Sequence, residues 1–173
     1  MAELGLMHVY TGEGKGKTTA AFGLALRAWG RGLRVCVIQF MKCGEDYGEV
    51  VAARRLKGLD LFQFGSGKWV DKERHTPEDE LLAKSGLAKA KEALTCGKYD
   101  VVILDEVNVA TDFGLLSPAE VLGVVRSRSK VEVVLTGRYA PEEFIREADL
   151  VTEMKVLKHP YDSGVDGRPG VEY

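Results

Sequence analysis

The chain has 173 residues, 45% of them hydrophobic and 29% charged, with a formal net charge of -2. That length fits one domain with a core of its own, without disulfides or metal staples. The balanced charge excludes a global attraction to nucleic acid or an anionic membrane, and no apolar stretch reaches the roughly 18 residues needed to span a bilayer.

Met1 leads into the polar Ala2-Glu3, which does not read as a signal peptide, so the expected location is the cytoplasm. Residues 6–10 (LMHVY) form a β-prone run that stops at a glycine cluster, and residues 18–31 follow with helix formers and Gly32 just past their end. Residues 33–40 (LRVCVIQF) are nearly continuous in apolar and β-branched side chains, as in a parallel strand covered on both faces. A helix is expected over residues 45–57 and a third strand over residues 59–64. Thr76 is a natural N-cap, with Pro77 at the first helical position and acids in the first turn, and this helix should run to about Cys96.

Residues 100–104 (DVVIL) read as a buried strand, Ser117-Pro118-Ala119-Glu120 opens another helix by the same capping logic, and residues 131–135 form a further strand. A short helix over residues 141–148 and a last strand over residues 150–157 complete the alternation. The expected fold is therefore α/β, a doubly wound, mostly parallel sheet of the P-loop NTPase (RecA-like) kind, with ligands at the carboxyl ends of the strands. One domain should span residues 1–173, with residues 158–173, rich in Gly and Pro, as a C-terminal extension or lid.

Cys36, Cys43 and Cys96 lack metal-ligand spacing, and His8, His75 and His159 lie far apart, so no zinc site is implied. Cys36 sits inside an apolar run and reads as a small core residue, while Cys96 reads as the end of a helix.

Thr11-Gly12-Glu13-Gly14-Lys15-Gly16-Lys17-Thr18-Thr19 joins the first strand to the first helix, the context a phosphate-binding loop needs. Glycines let the backbone curl until successive N–H groups point at phosphate oxygens, and the helix N-terminus adds positive potential. Lys17 would reach the terminal phosphates and Thr18 would hold Mg²⁺. A glycine-rich turn that binds nothing is the bland alternative, and the strand before and helix after weigh against it. The usual pattern places a glycine six residues before the lysine, where this chain has Thr11, so the loop counted from Gly12 is one residue short and should present its N–H groups in another register.

Residues 101–104 (VVIL) lead into Asp105-Glu106, an acidic pair after an apolar strand, which suits an acid beside the nucleotide's Mg²⁺ as well as a solvated loop; the phosphate loop tips the reading to the metal. Arg138, in Thr136-Gly137-Arg138 after the next strand, would neutralise triphosphate charge or simply sit in a surface turn. Arg27, nine residues past Thr18, reads from spacing alone as solvent-facing.

Taken together, the phosphate loop with Ala20-Ala21-Phe22-Gly23, Val37-Ile38-Gln39-Phe40-Met41-Lys42, Ile103-Leu104-Asp105-Glu106, Leu135-Thr136-Gly137-Arg138 and Lys158-His159-Pro160-Tyr161-Asp162-Ser163-Gly164-Val165 closely resemble the P-loop class of ATP:corrinoid adenosyltransferases of the cobalamin pathway. The motifs keep the family's order and span nearly the whole chain. The resemblance implies transfer of the 5′-deoxyadenosyl group of ATP to the Co(I) of a corrinoid with release of triphosphate. The nucleophile is then the substrate, consistent with the absence of a Ser, Cys or His nucleophile constellation. It also implies that Gly12, Glu13, Gly14, Lys15, Gly16, Lys17, Thr18 and Thr19 hold the phosphates, that Lys17, Thr18 and Glu106 carry the chemistry with Thr18 and Glu106 serving Mg²⁺, and that Arg27 and Arg138 contact ATP. ATP would lie reversed in the loop, exposing C5′. Relatives are homodimers and take electrons from a reduced flavoprotein.

Phe64-Gly65-Ser66-Gly67-Lys68-Trp69 resembles the family segment whose aromatics press on the lower corrin face, which implies a corrinoid contact for Trp69, set against the core or rim position more usual for a lone Trp near a loop. The chain departs from the family there, with Gly67 in place of a second aromatic. It also has Glu13 where relatives often carry Asn, and the Glu13 side chain is expected to point away from the phosphates. Two rivals use the same residues: a generic P-loop small-molecule kinase or NTPase, which would release ADP, and a non-catalytic protein that binds ATP or a corrinoid.

Overall fold

The computed structural model of the chain describes residues 4–172; Met1 to Glu3, on which the reading of the N-terminus rests, and Tyr173 at the end of the tail lie outside the described residues. Six strands, β1 (Met7–Thr11), β2 (Val35–Phe40), β3 (Leu59–Phe64), β4 (Val101–Asp105), β5 (Glu132–Thr136) and β6 (Leu150–Glu153), form a single sheet in the order β3-β2-β4-β5-β1-β6, every pair parallel. The helices are α1 (Lys17–Gly30), α2 (Gly48–Ala53), α3 (Pro77–Thr95), α4 (Val107–Asp112), α5 (Pro118–Arg126) and α6 (Glu142–Glu147).

The continuous apolar runs of the inner strands are explained by two cores, one on each face of the sheet. Val35, Val37, Val101, Ile103 and Val134 point to one side and meet Ala21, Ala25 and Ala28 of α1 and Ala53 of α2. The alternate residues, among them Cys36, Ile38, Phe40, Val102, Leu104, Val133 and Leu135, meet Ala90 and Leu94 of α3, Val121 and Val125 of α5 and Phe144 of α6. Alanines at the i, i+4 and i+7 positions let α1 lie close on the sheet, which fixes the height of its N-terminus over the strand ends. Cys36 is fully buried in the second core, and burial pushes its thiol up to about 12, so it is an inert packing residue. Cys96 caps the end of α3. Both capping boxes form, Thr76 with Asp79 and Ser117 with Glu120, each with proline at the start of the helix.

Three departures from the sequence reading are informative. The helix expected over residues 45–57 contracts to α2, starting at Gly48 behind an extended Tyr47. The strand expected over residues 150–157 stops at Glu153, because β1 ends at Thr11 and the chain turns to hydrogen-bond the phosphate loop instead. Helix α4 was not anticipated: its sequence, VNVATD, is rich in β-branched and short polar residues with weak helix propensity, and burial of Val107 and Ala110 against the sheet overrides that preference. Among the described residues no helix is long and apolar enough to cross a membrane.

Candidate active site

The phosphate loop leaves β1 at Gly12 and enters α1 at Gly16, whose φ of 115° puts the N-cap in the left-handed region that glycine tolerates. Its shape is fixed by contact with the chain beyond β6. Gly14 donates its N–H to the Met154 carbonyl at 2.7 Å, Met154 donates back to the Thr11 carbonyl at 2.8 Å, and a Cβ on Gly14 would stand 2.7 Å from the Met154 oxygen. Lys17 is buried, and its ammonium donates to the Gly12 and Gly14 carbonyls at 2.7 Å each, tying the loop across its mouth. Burial holds the Lys17 ammonium below its usual pKa, partly offset by Glu106, so it carries a charge poorly satisfied by solvent and ready for an anion.

Thr18 donates its hydroxyl to Asp105 Oδ1 at 2.8 Å. Asp105 is fully buried and has four donors in all: Thr18 and Thr136 on Oδ1, the latter at 2.7 Å, and Gln39 at 3.0 Å and Lys42 at 2.8 Å on Oδ2. Burial by itself would raise its pKa, but the Lys42 ammonium and the hydroxyl donors outweigh that and hold it below the ordinary carboxylate range. Gln39 lies in register with both Gln63 and Asp105, and Gln63 donates to the Gln39 side-chain oxygen at 3.0 Å. A polar row thus crosses the carboxyl ends of β3, β2, β4 and β5.

Glu106 follows directly, with φ at 63° in the left-handed region and its N–H donated to the Thr136 hydroxyl at 3.1 Å. Burial and the neighbouring Asp105 push its carboxyl above the usual glutamate range, while Lys42, Lys17 and Arg138 pull the other way. Met41 after β2 and Tyr139 after β5 share the left-handed backbone, both at φ 57°, so among the described residues all three non-glycine cases stand at strand ends around this site.

These groups open into one cleft of about 630 Å³, lined by Lys15, Gly16, Lys17, Thr18 and Thr19, by Phe22, Lys42, Tyr47, Glu49 and Trp69, by Glu106, Val109 and Arg138, and by Gly170, Val171 and Glu172 of the tail. An adjoining depression of about 520 Å³ adds Glu13, Gly14, His159 and Tyr161. A hollow of about 450 Å³ beside β3 contains none of the motif residues. The tail returns across the loop: Lys15 donates to the Val171 carbonyl at 3.0 Å and to Glu172 at 3.1 Å, and Arg168 pairs with the same carboxylate, which holds Glu172 down to about 2. Glu13 and Arg138 approach to 3.7 Å, so the Glu13 carboxylate faces a cationic side chain that also lines the cleft.

The sequence-assigned residues are brought together with one exception. Arg27 is exposed on α1, near enough to Tyr10 for its charge to offset part of the rise that burial imposes on that phenol, and it does not line the cleft. Asp105, Lys42, Gln39 and Thr136 join the site without having been assigned to it, although the Gln39-Phe40-Met41-Lys42 run and the Asp105-Glu106 pair carried the signal. Trp69 is 94% exposed at the rim.

Among the described residues no group of three or more His, Cys, Asp or Glu side chains is placed to hold a metal alone. The hard oxygens of Thr18, Asp105 and Glu106 suit instead a Mg²⁺ that is completed by water and phosphate, the usual manner of binding that ion.

The chain matches the family described as ATP:corrinoid adenosyltransferase BtuR/CobO/CobP over residues 3–173. It belongs to that family. A corrinoid adenosyltransferase from Sinorhizobium sp is 39% identical to it over 99% of this chain and 81% of the relative. The corrinoid adenosyltransferases of Pseudomonas aeruginosa and Escherichia coli K12 are 36% and 35% identical, each over 99% of this chain and over 85% and 87% of their own lengths. Membership in the adenosyltransferase family agrees with the parallel α/β fold and with a phosphate loop at the carboxyl end of β1.

Proposed function

We propose that this protein transfers the 5′-deoxyadenosyl group of Mg-ATP to the Co(I) of a corrinoid. The cobalt electron pair forms the carbon–cobalt bond at C5′, the C5′–oxygen bond breaks, and inorganic triphosphate leaves with that bond's electrons. The observation that carries this reading is the sharing of one cleft by the phosphate loop, Glu106 and the exposed Trp69, which sets a triphosphate site beside an aromatic face.

The protein's part is positioning and charge. Lys17 would exchange the Gly12 and Gly14 carbonyls for phosphate oxygens, and Arg138 would turn from Glu13 to the same anion. Thr18, its hydroxyl oriented by Asp105, and Glu106 would hold Mg²⁺, which when bound supplies positive charge to the departing triphosphate. The Glu13 backbone N–H, Lys15 and Thr19 would complete the phosphate shell, and Arg27 would contact parts of the nucleotide that project beyond the cleft. A cleft of about 630 Å³ suits a nucleotide, so the larger corrin ring would lie across its mouth against Trp69, with Tyr47 and Phe22 beneath. The tail from residue 158 would act as a lid, since Glu172 holds Lys15 in the place where a phosphate would. In this reading the enzyme works in the cytoplasm and, as the family resemblance implies, is a homodimer that takes electrons from a reduced flavoprotein.

The test is anaerobic incubation with chemically reduced cob(I)alamin and Mg-ATP. Light-sensitive adenosylcobalamin with stoichiometric triphosphate is expected. ADP would point to the kinase rival, and ATP binding without turnover would point to the binding-protein rival.

A further inference from the structure

The Lys42 ammonium stands at the point where the proposed metal oxygens converge. It is 2.8 Å from Asp105 Oδ2, 3.3 Å from the Thr18 hydroxyl oxygen and 3.9 Å from Glu106 Oε1. Asp105 is fully buried, and a buried carboxylate without a counter-charge is strongly unfavourable, so some cation has to stand here whenever the protein is folded. A divalent ion held by Thr18 and Glu106 beside Asp105 would compete for this space, and two cations that close together repel. Lys42 also lines the cleft, and its side chain keeps 23% of its exposure at the end of a flexible four-carbon stem. It therefore has somewhere to go: a short rotation carries the ammonium from the carboxylates into the space assigned to triphosphate.

We propose that Lys42 is the resident cation of the nucleotide-free site, excluding divalent metal until a triphosphate arrives to receive the displaced ammonium. Metal and nucleotide then enter as a unit, and release of triphosphate lets Lys42 return to Asp105 and expel the ion. Lys42 is a positioning residue, acting through the carboxylates on the metal. The inference rests on the Mg²⁺ assignment above.

The test measures Mn²⁺ binding to the full chain by water-proton relaxation enhancement, with and without ATP and with no corrinoid present, so that no turnover contributes. Nucleotide-free wild-type protein should bind Mn²⁺ weakly and its ATP complex tightly. Lys42→Met should bind Mn²⁺ without nucleotide at least ~10-fold more tightly than wild type, the scale on which groups around a metal's ligands tune its affinity. Should Lys42→Met not fold, Lys42→Gln, whose amide still donates to Asp105, carries the comparison. Equal nucleotide-free affinities in wild type and variant, or tight Mn²⁺ binding by nucleotide-free wild type, overturn the proposal while leaving the metal assignment intact. No enhancement in wild type with ATP removes the metal assignment itself, and the role of Lys42 with it.

Discussion

The Thr18 hydroxyl donates to Asp105 Oδ1 at 2.8 Å, joining the first turn of α1 to the last residue of β4 across 87 positions of sequence. Asp105 is fully buried, so this bond is part of what makes its charge tolerable, and the Thr18 oxygen, which lines the cleft, also accepts from the Lys42 ammonium at 3.3 Å. Thr18→Val keeps the shape and removes the hydroxyl. It should lower kcat/KM for Mg-ATP by ~10–100-fold, with partial recovery at high Mg²⁺, and destabilise the protein by ~1–3 kcal/mol. Triphosphate release as a function of Mg²⁺, alongside urea denaturation, reads both effects.

Glu106 and Asp105 have opposite pH signatures. The folded-state pKa of Glu106 is raised, so the native protein holds that proton more firmly than the unfolded chain does, and stability falls as pH rises through the window above the ordinary glutamate value. Asp105 is depressed, so its contribution is present at neutral pH and is lost as pH falls below the ordinary aspartate value. Glu106→Gln should therefore be more stable than wild type at pH 7 and lose the Glu106-dependent slope, while binding Mg-ATP more weakly. Thermal melts between about pH 2 and 8, which reach below and above the ordinary carboxylate values, with ATP titrations, test this. A variant less stable than wild type at pH 7 contradicts it.

The approach of Gly14 to Met154 leaves no room for a methyl group, since the added Cβ would stand 2.7 Å from the backbone oxygen of Met154, whose N–H is tied to the Thr11 carbonyl. Gly14→Ala should cost ~1–3 kcal/mol and weaken ATP binding, because overpacking moves the loop away from the chain after β6. Gly123→Ala, where the added carbon meets nothing within 4 Å on α5, should be neutral or stabilising by ~0.4–1 kcal/mol. Denaturant midpoints of the two variants separate crowding at the loop from a general effect of glycine replacement.

Trp69 packs against almost nothing, being 94% exposed, so Trp69→Ala should change stability by no more than ~0.5 kcal/mol. If its face meets the corrinoid, the variant keeps its affinity for ATP while KM for cob(I)alamin rises by ~10-fold or more, the scale of losing ~1.4 kcal/mol or more of aromatic contact. An unchanged corrinoid KM would remove Trp69 from the site.

Several strand ends were misplaced by one residue in the same direction, and the pattern has a physical cause. Apolar periodicity places the ends of β1, β4 and β5 at Tyr10, Leu104 and Leu135, whereas the strands continue to Thr11, Asp105 and Thr136. A polar residue after an apolar run looks like the start of a loop. Asp105 and Thr136 find side-chain partners on neighbouring strands, Asp105 with Gln39 and Thr136, while the Thr11 hydroxyl accepts from the Ala140 N–H beyond β5. Two of these three residues, Asp105 and Thr136, also build the site.

The sequence alone determined the α/β alternation, the capped helices α3 and α5, the phosphate loop and the family resemblance, because each depends on local chemistry: periodicity, caps and glycines at fixed spacing. Only the tertiary structure decided the strand order, the helical state of residues 107–112, the closure of the loop by Met154 and the convergence of Thr18, Gln39, Lys42 and Thr136 on Asp105. Those four residues reach one carboxylate from three separate segments, the start of α1, the end of β2 and the end of β5. Burial of that charge by partners distant in sequence is a property of packing, which no local pattern encodes.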